Sequence, residues 1–243
     1  MSVRRSWATA VRVLRQLRHD PRTIGLLLAV PCVLQVLVHE LFAERPQVFQ
    51  SLGVPLLGLF PFVAMFIVTS ITMLRERTSG TLERLLTTPI ARGDLLVGYG
   101  MAFALVAAAQ ATLVSVLSFG LLGLEADYRV AVVALAIANA VLGMALGLFA
   151  SAFARTEFQA VQFMPAFVLP QILLCGLLVP REEMAGWLQA LSAVMPLTYA
   201  YDALSRLSRG DLDARFWIDV VVVVGVTVAA LALGAGTLRR RTP

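Results

Sequence analysis

Six long apolar runs constrain the fold of this chain more than any other feature. Each is about 20 residues or longer, and a helix of that length crosses the roughly 30 Å hydrocarbon core of a bilayer at a rise of about 1.5 Å per residue. Inside lipid every backbone polar group needs an internal partner, which a helix provides. We therefore predict six transmembrane helices. Their ranges are 23–42, 54–74, 95–122, 130–154, 158–179 and 217–238.

The composition also favours a bilayer over water as the solvent. Of the 243 residues, 59% are hydrophobic and 14% are charged, whereas a soluble domain is about 45–50% apolar and about 25% charged. The first run follows an arginine-rich start, as in a signal peptide, but no small-residue cleavage site comes after it, so we interpret it as a retained span. The predicted fold class is an all-α integral membrane protein with one transmembrane domain. Its parts are an interfacial helix (1–22), a six-span bundle (23–238) and a tail (239–243).

The arginines indicate which side of the membrane each loop occupies. All 20 basic residues are Arg. With the N-terminus inside, 14 arginines and 5 acidic residues fall on the inner side, and 6 arginines and 10 acidic residues fall on the outer side. The inner side of a membrane protein carries the excess of positive charge. We therefore expect both termini in the cytoplasm. The Arg-only, Ala/Val/Leu-rich composition is typical of a bacterial protein, which places the chain in a bacterial cell membrane.

The segment before the first span has the pattern of an amphipathic helix. Four apolar residues recur at helical spacing between arginines, which predicts a helix over 6–19 lying along the inner membrane surface. These residues are Trp7, Val11, Leu14 and Leu17. Asp20 and Pro21 suit the N-cap and first position of a helix, so we expect the first span to begin there.

The inner loop 75–94 contains a second short helical pattern. Leu82, Leu85 and Leu86 form an apolar stripe, and Pro89 ends it. This predicts a two-turn amphipathic helix below the membrane, between spans two and three.

The outer segment 181–215 contains a third helical pattern. Its apolar residues share one face, which predicts a helix on or in the outer leaflet that ends at Pro196. They are Met184, Trp187, Leu188, Leu191 and Met195.

Small residues and prolines bear on how the spans pack. Gly143 and Gly147 have the G-x-x-x-G spacing that permits close contact between helices. Pro61 in span two, and Pro165 and Pro170 in span five, are expected to bend or loosen those helices.

The groups that catalysis needs are missing from the sequence. The chain has no Lys, so the standard phosphate-binding P-loop cannot be built. The two histidines, His19 and His39, lie far apart on opposite sides, and no carboxylate pair lies at membrane depth. The arginines sit at the ends of apolar runs, which argues against a nucleic-acid surface. We expect no catalytic residue, no metal and no cofactor bound by this chain. The spans also lack the buried charges that ion-driven carriers use, so if the chain moves a substrate uphill we expect the energy to come from elsewhere.

Four stretches, in order, resemble the permeases of type-2 ABC exporters. The inner loop, 75–99, reads RERTSGTLERLLTTPIARGDLLVGY and has that family's Glu after the second span, its Gly-Thr, its paired leucines and its Thr-Pro. The stretch RHDPRT, 18–23, resembles the entry of the family's N-terminal connecting helix into its first span. The stretch ARTEFQAVQFMP, 154–165, resembles the family's turn between spans four and five. The family's outer segment is similar to the stretch 176–207, which reads GLLVPREEMAGWLQALSAVMPLTYAYDALSRL. The likeness covers nearly the whole chain and is nearest to the actinobacterial daunorubicin-resistance permeases.

The resemblance implies a permease that pairs with a second permease chain, either a copy of itself or a sister protein. It implies two separate cytoplasmic ATPase subunits, which hold the ATP and Mg²⁺. It implies that the inner loop forms a coupling helix that docks on the ATPase. The implied ATPase-coupling residues are Glu76, Arg77, Gly80, Thr81, Glu83, Leu85, Leu86 and Pro89. The implied connecting-helix residues are Arg18, Asp20 and Pro21, and the implied outer cap contains Trp187, Pro196, Thr198 and Tyr199.

Spans two and five are expected to line the transport path. Phe62, Phe66 and Thr69 share one face of span two, and Phe163 and Phe167 are one turn apart on span five. The alternative is that these rings pack in the bundle core or face lipid. The predicted function is export of a lipophilic or amphiphilic compound, drug-like or lipid-linked. A membrane-embedded lipid-modifying enzyme or assembly factor is the alternative. In either case the bilayer is a partner and nucleic acid is not.

Overall fold

The computed structural model describes residues 3–79 and 92–237. Within these ranges the chain forms ten α-helices, one π-helical turn and one 3-10 turn, with no strand. In chain order the α-helices are α1 (Val3–Arg18), α2 (Pro21–Leu41), α3 (Pro46–Thr78), α4 (Arg92–Gly120), α5 (Arg129–Ala150), α6 (Glu157–Phe163), α7 (Leu169–Leu174), α8 (Gly186–Val194), α9 (Pro196–Arg209) and α10 (Ala214–Thr237). The predicted all-α fold class is confirmed at this level.

Five α-helices in the described ranges are long and apolar enough to cross a membrane. They are α2, α3, α4, α5 and α10. Each overlaps one predicted apolar run, so five of the six predicted long helices are present. The remaining run, 158–179, is helical but is not one α-helix, and a sixth span is therefore not confirmed.

The break in this run lies at a proline. The π-helical turn Met164–Val168 separates α6 from α7. Pro165 sits at the start of that turn, where its missing N–H removes one backbone hydrogen bond and its ring displaces the carbonyl of the preceding turn. Prolines and single π-helical turns are both known sites of irregularity inside α-helices. The loosening predicted at this proline is thus present.

Helices α3 and α5 form the centre of the bundle, and α2 and α10 lie at its edges. The predicted G-x-x-x-G contact is the closest part of this centre. A Cβ atom added at Gly143 would lie 2.2 Å from the carbonyl oxygen of Phe62, and one added at Gly147 would lie 2.4 Å from the carbonyl oxygen of Phe66. At Gly143 the two backbones therefore touch without a side chain between them, and at Gly147 the Thr69 hydroxyl also fills the space that a Cβ atom would need, which only glycine allows.

Helix α1 confirms the predicted N-terminal helix, and the face that it buries within the protein shares only Leu17 with the predicted apolar face. The residues that pack on α4 are mostly small: Ser6, Thr9, Ala10, Val13 and Leu17. Trp7 is 60% exposed instead. The physical reason is close approach, because small residues let α1 lie directly against α4.

The junction between α1 and α2 has the predicted cap. Asp20 is the N-cap of α2, and Pro21 is its first residue. The Asp20 carboxylate accepts hydrogen bonds from the Thr23 backbone N–H (3.2 Å) and the Thr23 hydroxyl (2.6 Å). These bonds lower the pKa of Asp20. Arg18 is the last residue of α1 and is exposed.

The outer segment contains two helices where one was predicted. Helix α8 corresponds to the predicted helix and ends before Pro196. Pro196 then begins α9, which packs against α3, α5 and α10. The prediction missed α9 because its charged residues obscure the apolar face. Proline suits the first position of a helix as well as it suits the end of the helix before.

Candidate functional site at the base of the α3–α4 loop

The last turn of α3 is where this long helix leaves the apolar part of the chain. Its 33 residues extend about 50 Å, which exceeds the roughly 30 Å of a hydrocarbon core. The surplus ends in Arg75, Glu76 and Arg77, close to residues 80–91, which lie outside the described residues. Glu76 is only 3% exposed, which is unusual for a carboxylate and calls for a partner.

The partner of Glu76 comes from α1. Arg12 places its Nη1 atom 3.6 Å from Glu76 Oε1 and donates a hydrogen bond from Nη2 to the hydroxyl of Tyr99 on α4. The Arg12 guanidinium also lies 5.6 Å from the centre of the Tyr99 ring, within the range of a cation–π interaction. The Arg12–Glu76–Tyr99 cluster therefore ties together α1, α3 and α4.

A glycine allows this cluster to form. A Cβ atom added at Gly98 would lie 2.5 Å from the Cβ atom of Thr9 and 2.7 Å from the carbonyl oxygen of Ser6. Any larger residue at this position would push α1 away from α4. Because Arg12 and Tyr99 lie next to this contact along their helices, the same displacement would separate them.

Arg75 makes a second connection from the end of α3. Its Nε and Nη2 atoms donate to the two carboxylate oxygens of Glu157, at 2.8 and 3.0 Å. This two-pronged geometry is the strongest that an arginine and a carboxylate form. The hydrogen bonds from Arg75 lower the pKa of Glu157. Because Glu157 begins α6, the end of α3 is tied to three other helices: α1, α4 and α6.

The structure describes two of the predicted coupling residues. Glu76 belongs to the cluster above, and Arg77 is half-buried with an Nε atom that makes no hydrogen bond. The other six lie outside the described residues: Gly80, Thr81, Glu83, Leu85, Leu86 and Pro89. The described part of the site is therefore the frame from which the loop extends.

Sequence reasoning missed Arg12, Tyr99 and Gly98. Arg12 is one of the arginines that lie between the apolar residues of the amphipathic helix 6–19, and it was given no partner. The signal that could have found it is Glu76 itself, because a carboxylate at the edge of an apolar run needs a cation from a neighbouring segment.

The predicted path-lining residues of span two are enclosed within this chain. Phe62 and Phe66 are 0% and 2% exposed, at the contact with α5. The Thr69 hydroxyl donates to the Met65 carbonyl at 2.7 Å and lies 3.2 Å from the Met144 carbonyl of α5. None of the three side chains borders open space in this structure.

The predicted path-lining residues of span five lie further out. Phe167 is 57% exposed, and its ring meets that of Phe163 edge to face at 6.0 Å. Phe163 packs against the buried cluster that contains Phe62 and Phe66. The five residues therefore do not form one open wall within a single chain.

The predicted outer cap is a corner held by hydroxyl groups. The Thr198 hydroxyl donates to the Ser192 carbonyl at 2.9 Å, and the Tyr199 hydroxyl donates to the Ala193 carbonyl at 2.6 Å. These bonds join the end of α8 to the start of α9 at Pro196. Trp187, in contrast, is 70% exposed on α8. Within the described ranges, no three His, Cys, Asp or Glu side chains come together in a way that could hold a metal ion.

Comparison with known proteins gives a consistent set of relatives. The profile of the family described as "ABC-2 type transporter" matches residues 5–207. The "Probable multidrug ABC transporter permease YbhR" of Escherichia coli (strain K12) is 30% identical over 186 residues, which are 73% of this chain and 50% of that protein. "ABC transporter G family member 20" of Dictyostelium discoideum is 23% identical over 184 residues, 72% of this chain and 25% of that protein.

A third relative comes from Bacillus subtilis (strain 168). The "Linearmycin resistance permease protein LnrN" of Bacillus subtilis (strain 168) is 23% identical over 162 residues, which are 67% of this chain and 41% of that protein. The chain thus spans about half the length of the curated relatives it matches, or less.

Proposed function

Because this chain belongs to the ABC-2 type transporter family, we propose that it is the permease subunit of an exporter. Its cargo would be a lipophilic or amphiphilic compound, moved out across a bacterial cell membrane. A separate cytoplasmic ATPase would supply the energy and hold the ATP and Mg²⁺, since a chain without Lys cannot build the standard P-loop. The names of its relatives, which refer to multidrug and linearmycin resistance, support this class of cargo.

The observation that carries the proposal is the buried Arg12–Glu76–Tyr99 cluster at the base of the α3–α4 loop. A force applied to that loop by a partner acts on the end of α3 and the start of α4. Because the cluster ties both to α1, and Arg75 ties α3 to α6, the force moves several helices together. A rigid frame of this kind is what transmission between subunits requires.

The remaining features of the proposal follow from orientation and assembly. The arginine distribution supports cytoplasmic termini and a cytoplasmic α3–α4 loop, which carries the coupling residues Gly80, Thr81, Glu83, Leu85, Leu86 and Pro89. Helix α1 would lie along the inner surface with Trp7 toward lipid. The segment 158–179, with its π-helical turn, would serve as the fifth, irregular span in chain order. Two permease chains, identical or sister proteins, would meet so that Phe167 of each faces the path.

The first experiment tests the partnership. The chain is co-expressed with a candidate ABC-type ATPase, the complex is purified and reconstituted into proteoliposomes, and ATP hydrolysis and cargo transport are measured. We expect a stable complex whose hydrolysis is stimulated by cargo. Glu83→Ala should leave the amount of folded protein unchanged and lower both activities. If the chain instead acts on lipids with no ATPase present, the enzyme alternative replaces the proposal.

The second experiment tests the cluster by its asymmetry. The Glu76 side chain is 3% exposed and the Arg12 side chain is 34% exposed. Arg12→Gln therefore leaves a buried carboxylate without its cation, whereas Glu76→Gln leaves an unpaired cation that water can reach. Breaking an exposed ion pair costs about 1 kcal/mol of folding free energy, and breaking a buried one costs about 3–5 kcal/mol. The cost of Arg12→Gln should fall between these two values. Glu76→Gln should cost less than Arg12→Gln.

The double variant separates stability from transmission. Arg12→Gln combined with Glu76→Gln removes both charges, so folded protein should recover. Stimulation of ATP hydrolysis should stay low, because α1 is no longer tied to α3. Glu40→Gln, an exposed carboxylate elsewhere in the chain, is the matched control. Full stimulation in the double variant would show that the cluster only stabilises the fold.

A further inference from the structure

Three exposed arginines form a line along one side of α1. Arg4, Arg15 and Arg18 are all exposed, and the second and third follow the first by 11 and 14 residues. At about 3.6 residues per turn these separations are close to three and four whole turns, so the three side chains share one face. The residues that α1 buries lie on the opposite face, which packs on α4. The arginine stripe (Arg4, Arg15 and Arg18) therefore faces away from the bundle.

No carboxylate within the described ranges forms an ion pair with the arginine stripe. The acidic side chains near this end of the bundle are already engaged or buried. Asp94 is 1% exposed. The engaged ones are Asp20 as the N-cap of α2, Glu76 with Arg12, and Glu157 with Arg75. The fold therefore leaves the charges of the stripe to a partner outside the chain.

The arginines of α9 and its neighbours are arranged differently. Four of them, from three segments of the chain, line one polar cavity. Each lies 2.8–3.5 Å from an aspartate carboxylate. The pairs are Arg181–Asp202, Arg206–Asp213, Arg209–Asp211 and Arg215–Asp219. This chain thus neutralises arginines where it gathers them inside the fold, and the arginine stripe departs from that arrangement.

Helix α1 lies beside the first turns of α4. Thr9 approaches Gly98 closely, and Gly98 is about 9 Å along the helix axis from the first residue of α4, at 1.5 Å per residue. Exposed apolar side chains begin at the same level. Val97 and Met101 on α4 are 39% and 38% exposed, and Trp7 on α1 is 60% exposed. A boundary between exposed arginines and exposed apolar side chains is typical of the level of lipid head groups.

Trp7 borders the arginine stripe, because it lies three residues after Arg4 on the same helix. A phospholipid suits both kinds of side chain. Its phosphate accepts hydrogen bonds from guanidinium groups, and the region below the phosphate accommodates an indole ring. An acidic protein surface would neutralise the arginines but would offer nothing apolar to the exposed indole. The combination therefore favours a lipid over a protein as the partner of this face.

We propose that the arginine stripe binds the head groups of anionic phospholipids, with Trp7 inserted beside them below the phosphates. Arginines next to a membrane attract anionic lipids, and salt screens that attraction. The proposal rests on the placement of α1 along the membrane surface under the proposed function, and it adds a preference for one class of lipid. It involves neither the ATPase nor the cargo.

The experiment measures which lipid lies next to Trp7. The chain contains three tryptophans. Trp187 and Trp217 are 70% and 60% exposed, so changing both to Phe leaves Trp7 as the single indole fluorophore without opening a cavity. This single-tryptophan protein, otherwise the full chain, is reconstituted into phosphatidylcholine vesicles that contain a minor fraction of lipid with brominated acyl chains. Bromine quenches tryptophan fluorescence on contact.

Two vesicle samples are compared. One contains brominated phosphatidylglycerol, and the other contains brominated phosphatidylcholine with the same acyl chains. The ratio of the two quenching constants gives the preference of the site for the anionic lipid. We expect phosphatidylglycerol to be preferred about fivefold or more, which is the effect of one arginine near an anionic surface.

The variants change the charge of the stripe and leave the buried face of α1 intact. Arg4→Gln, Arg15→Gln and Arg18→Gln, combined, should make the two lipids quench equally. Changing the same three residues to Lys keeps the charge and should retain the preference, because the attraction is electrostatic. Arg45→Gln, at an exposed arginine before α3, is the matched control and should behave like the single-tryptophan protein. Added salt should lower the preference in that protein and have no effect in the triple glutamine variant.

Four results would overturn the proposal. Equal quenching by the two lipids in the single-tryptophan protein would leave the arginine stripe to an acidic protein partner. A preference that survives in the triple glutamine variant, or is lost equally in Arg45→Gln, would mean that it does not come from the stripe. Its loss in the triple lysine variant would exclude charge as its basis. No quenching by either lipid would place Trp7 away from the membrane. ATP hydrolysis and transport with the ATPase are measured separately, so these results are distinguishable from failure of the proposed function.

Discussion

Replacing Gly143 by alanine should force the two central helices apart. The added Cβ atom would lie 2.2 Å from the carbonyl oxygen of Phe62, whereas real Cβ atoms essentially never make contacts under 3.0 Å. The obstacle is backbone, which cannot rotate away as a side chain can. Helices α3 and α5 must therefore separate by at least about 0.8 Å at this point.

The cost of this separation can be worked out from the residues around it. Phe62 and Leu142 are both 0% exposed, so a gap opens around side chains that are fully packed. A gap of 0.5–1 Å removes about a quarter to a half of each van der Waals attraction. Overpacking of this kind costs about 1–3 kcal/mol, and alanine returns about 0.5–1 kcal/mol because it is a better helix former than glycine. The net loss should be about 0–2.5 kcal/mol.

The matched control is Gly225→Ala on α10. A Cβ atom there has nothing within 4 Å, so only the helix-forming term remains and this variant should gain about 0.5–1 kcal/mol. Reversible unfolding in mixed micelles, followed by circular dichroism, measures both variants against the wild type. The difference between them isolates the overpacking. If Gly143→Ala proves as stable as Gly225→Ala, the close contact between α3 and α5 is not present in the folded protein.

Three further predictions concern side chains and orientation. Phe62→Ala should lower the free energy of unfolding by about 3–5 kcal/mol because the ring is fully enclosed. Phe167→Ala should change the free energy of unfolding little and should instead alter which compounds are exported. The same unfolding assay measures the first effect, and an export assay measures the second. In a background without the native cysteines, Ser208→Cys should react with an impermeant thiol reagent on whole cells and Ser79→Cys should not, and the reverse pattern would invert the topology. Asp20→Ala should lower thermal stability at neutral pH. Folding lowers the pKa of Asp20 below its ordinary value of 3.8, so the stabilisation by its carboxylate is fully present above pH 3.8. That stabilisation disappears as the pH falls through the pKa of the folded state. The stabilities of variant and wild type should therefore converge in acid.

Local signals in the sequence were sufficient for much of the fold. Apolar runs long enough to cross a bilayer predicted five of the helices, because hydrophobicity over about 20 residues is a property of each segment alone. The cap at Asp20 and Pro21 was predicted correctly for the same reason, since an N-cap involves only residues within one turn. The contact at Gly143 and Gly147 could also be anticipated, because small residues at this spacing form a groove on any helix.

The side on which a residue faces was harder to predict. In a membrane protein lipid and neighbouring helices are both apolar, so hydrophobic pattern does not separate them. Phe62 and Phe66 were therefore assigned to a path wall, with the bundle core as the alternative, and the structure encloses them against α5. Helix α9 was missed because its first residue, Pro196, was taken only as the end of the helix before it.

The sequence by itself determined that this protein has an apolar, bilayer-like environment, where its long helices lie and to which family its motifs point. Each of these depends on residues that are neighbours along the chain. Only the tertiary structure decided that Glu76 pairs with Arg12, that Arg75 pairs with Glu157, and that arginines from three segments line one cavity. The partners in these pairs are 64 or more residues apart, and a charge carries no information about which distant charge will neutralise it. Folding selects the partner, because a buried charge is stable only where packing brings an opposite charge within reach.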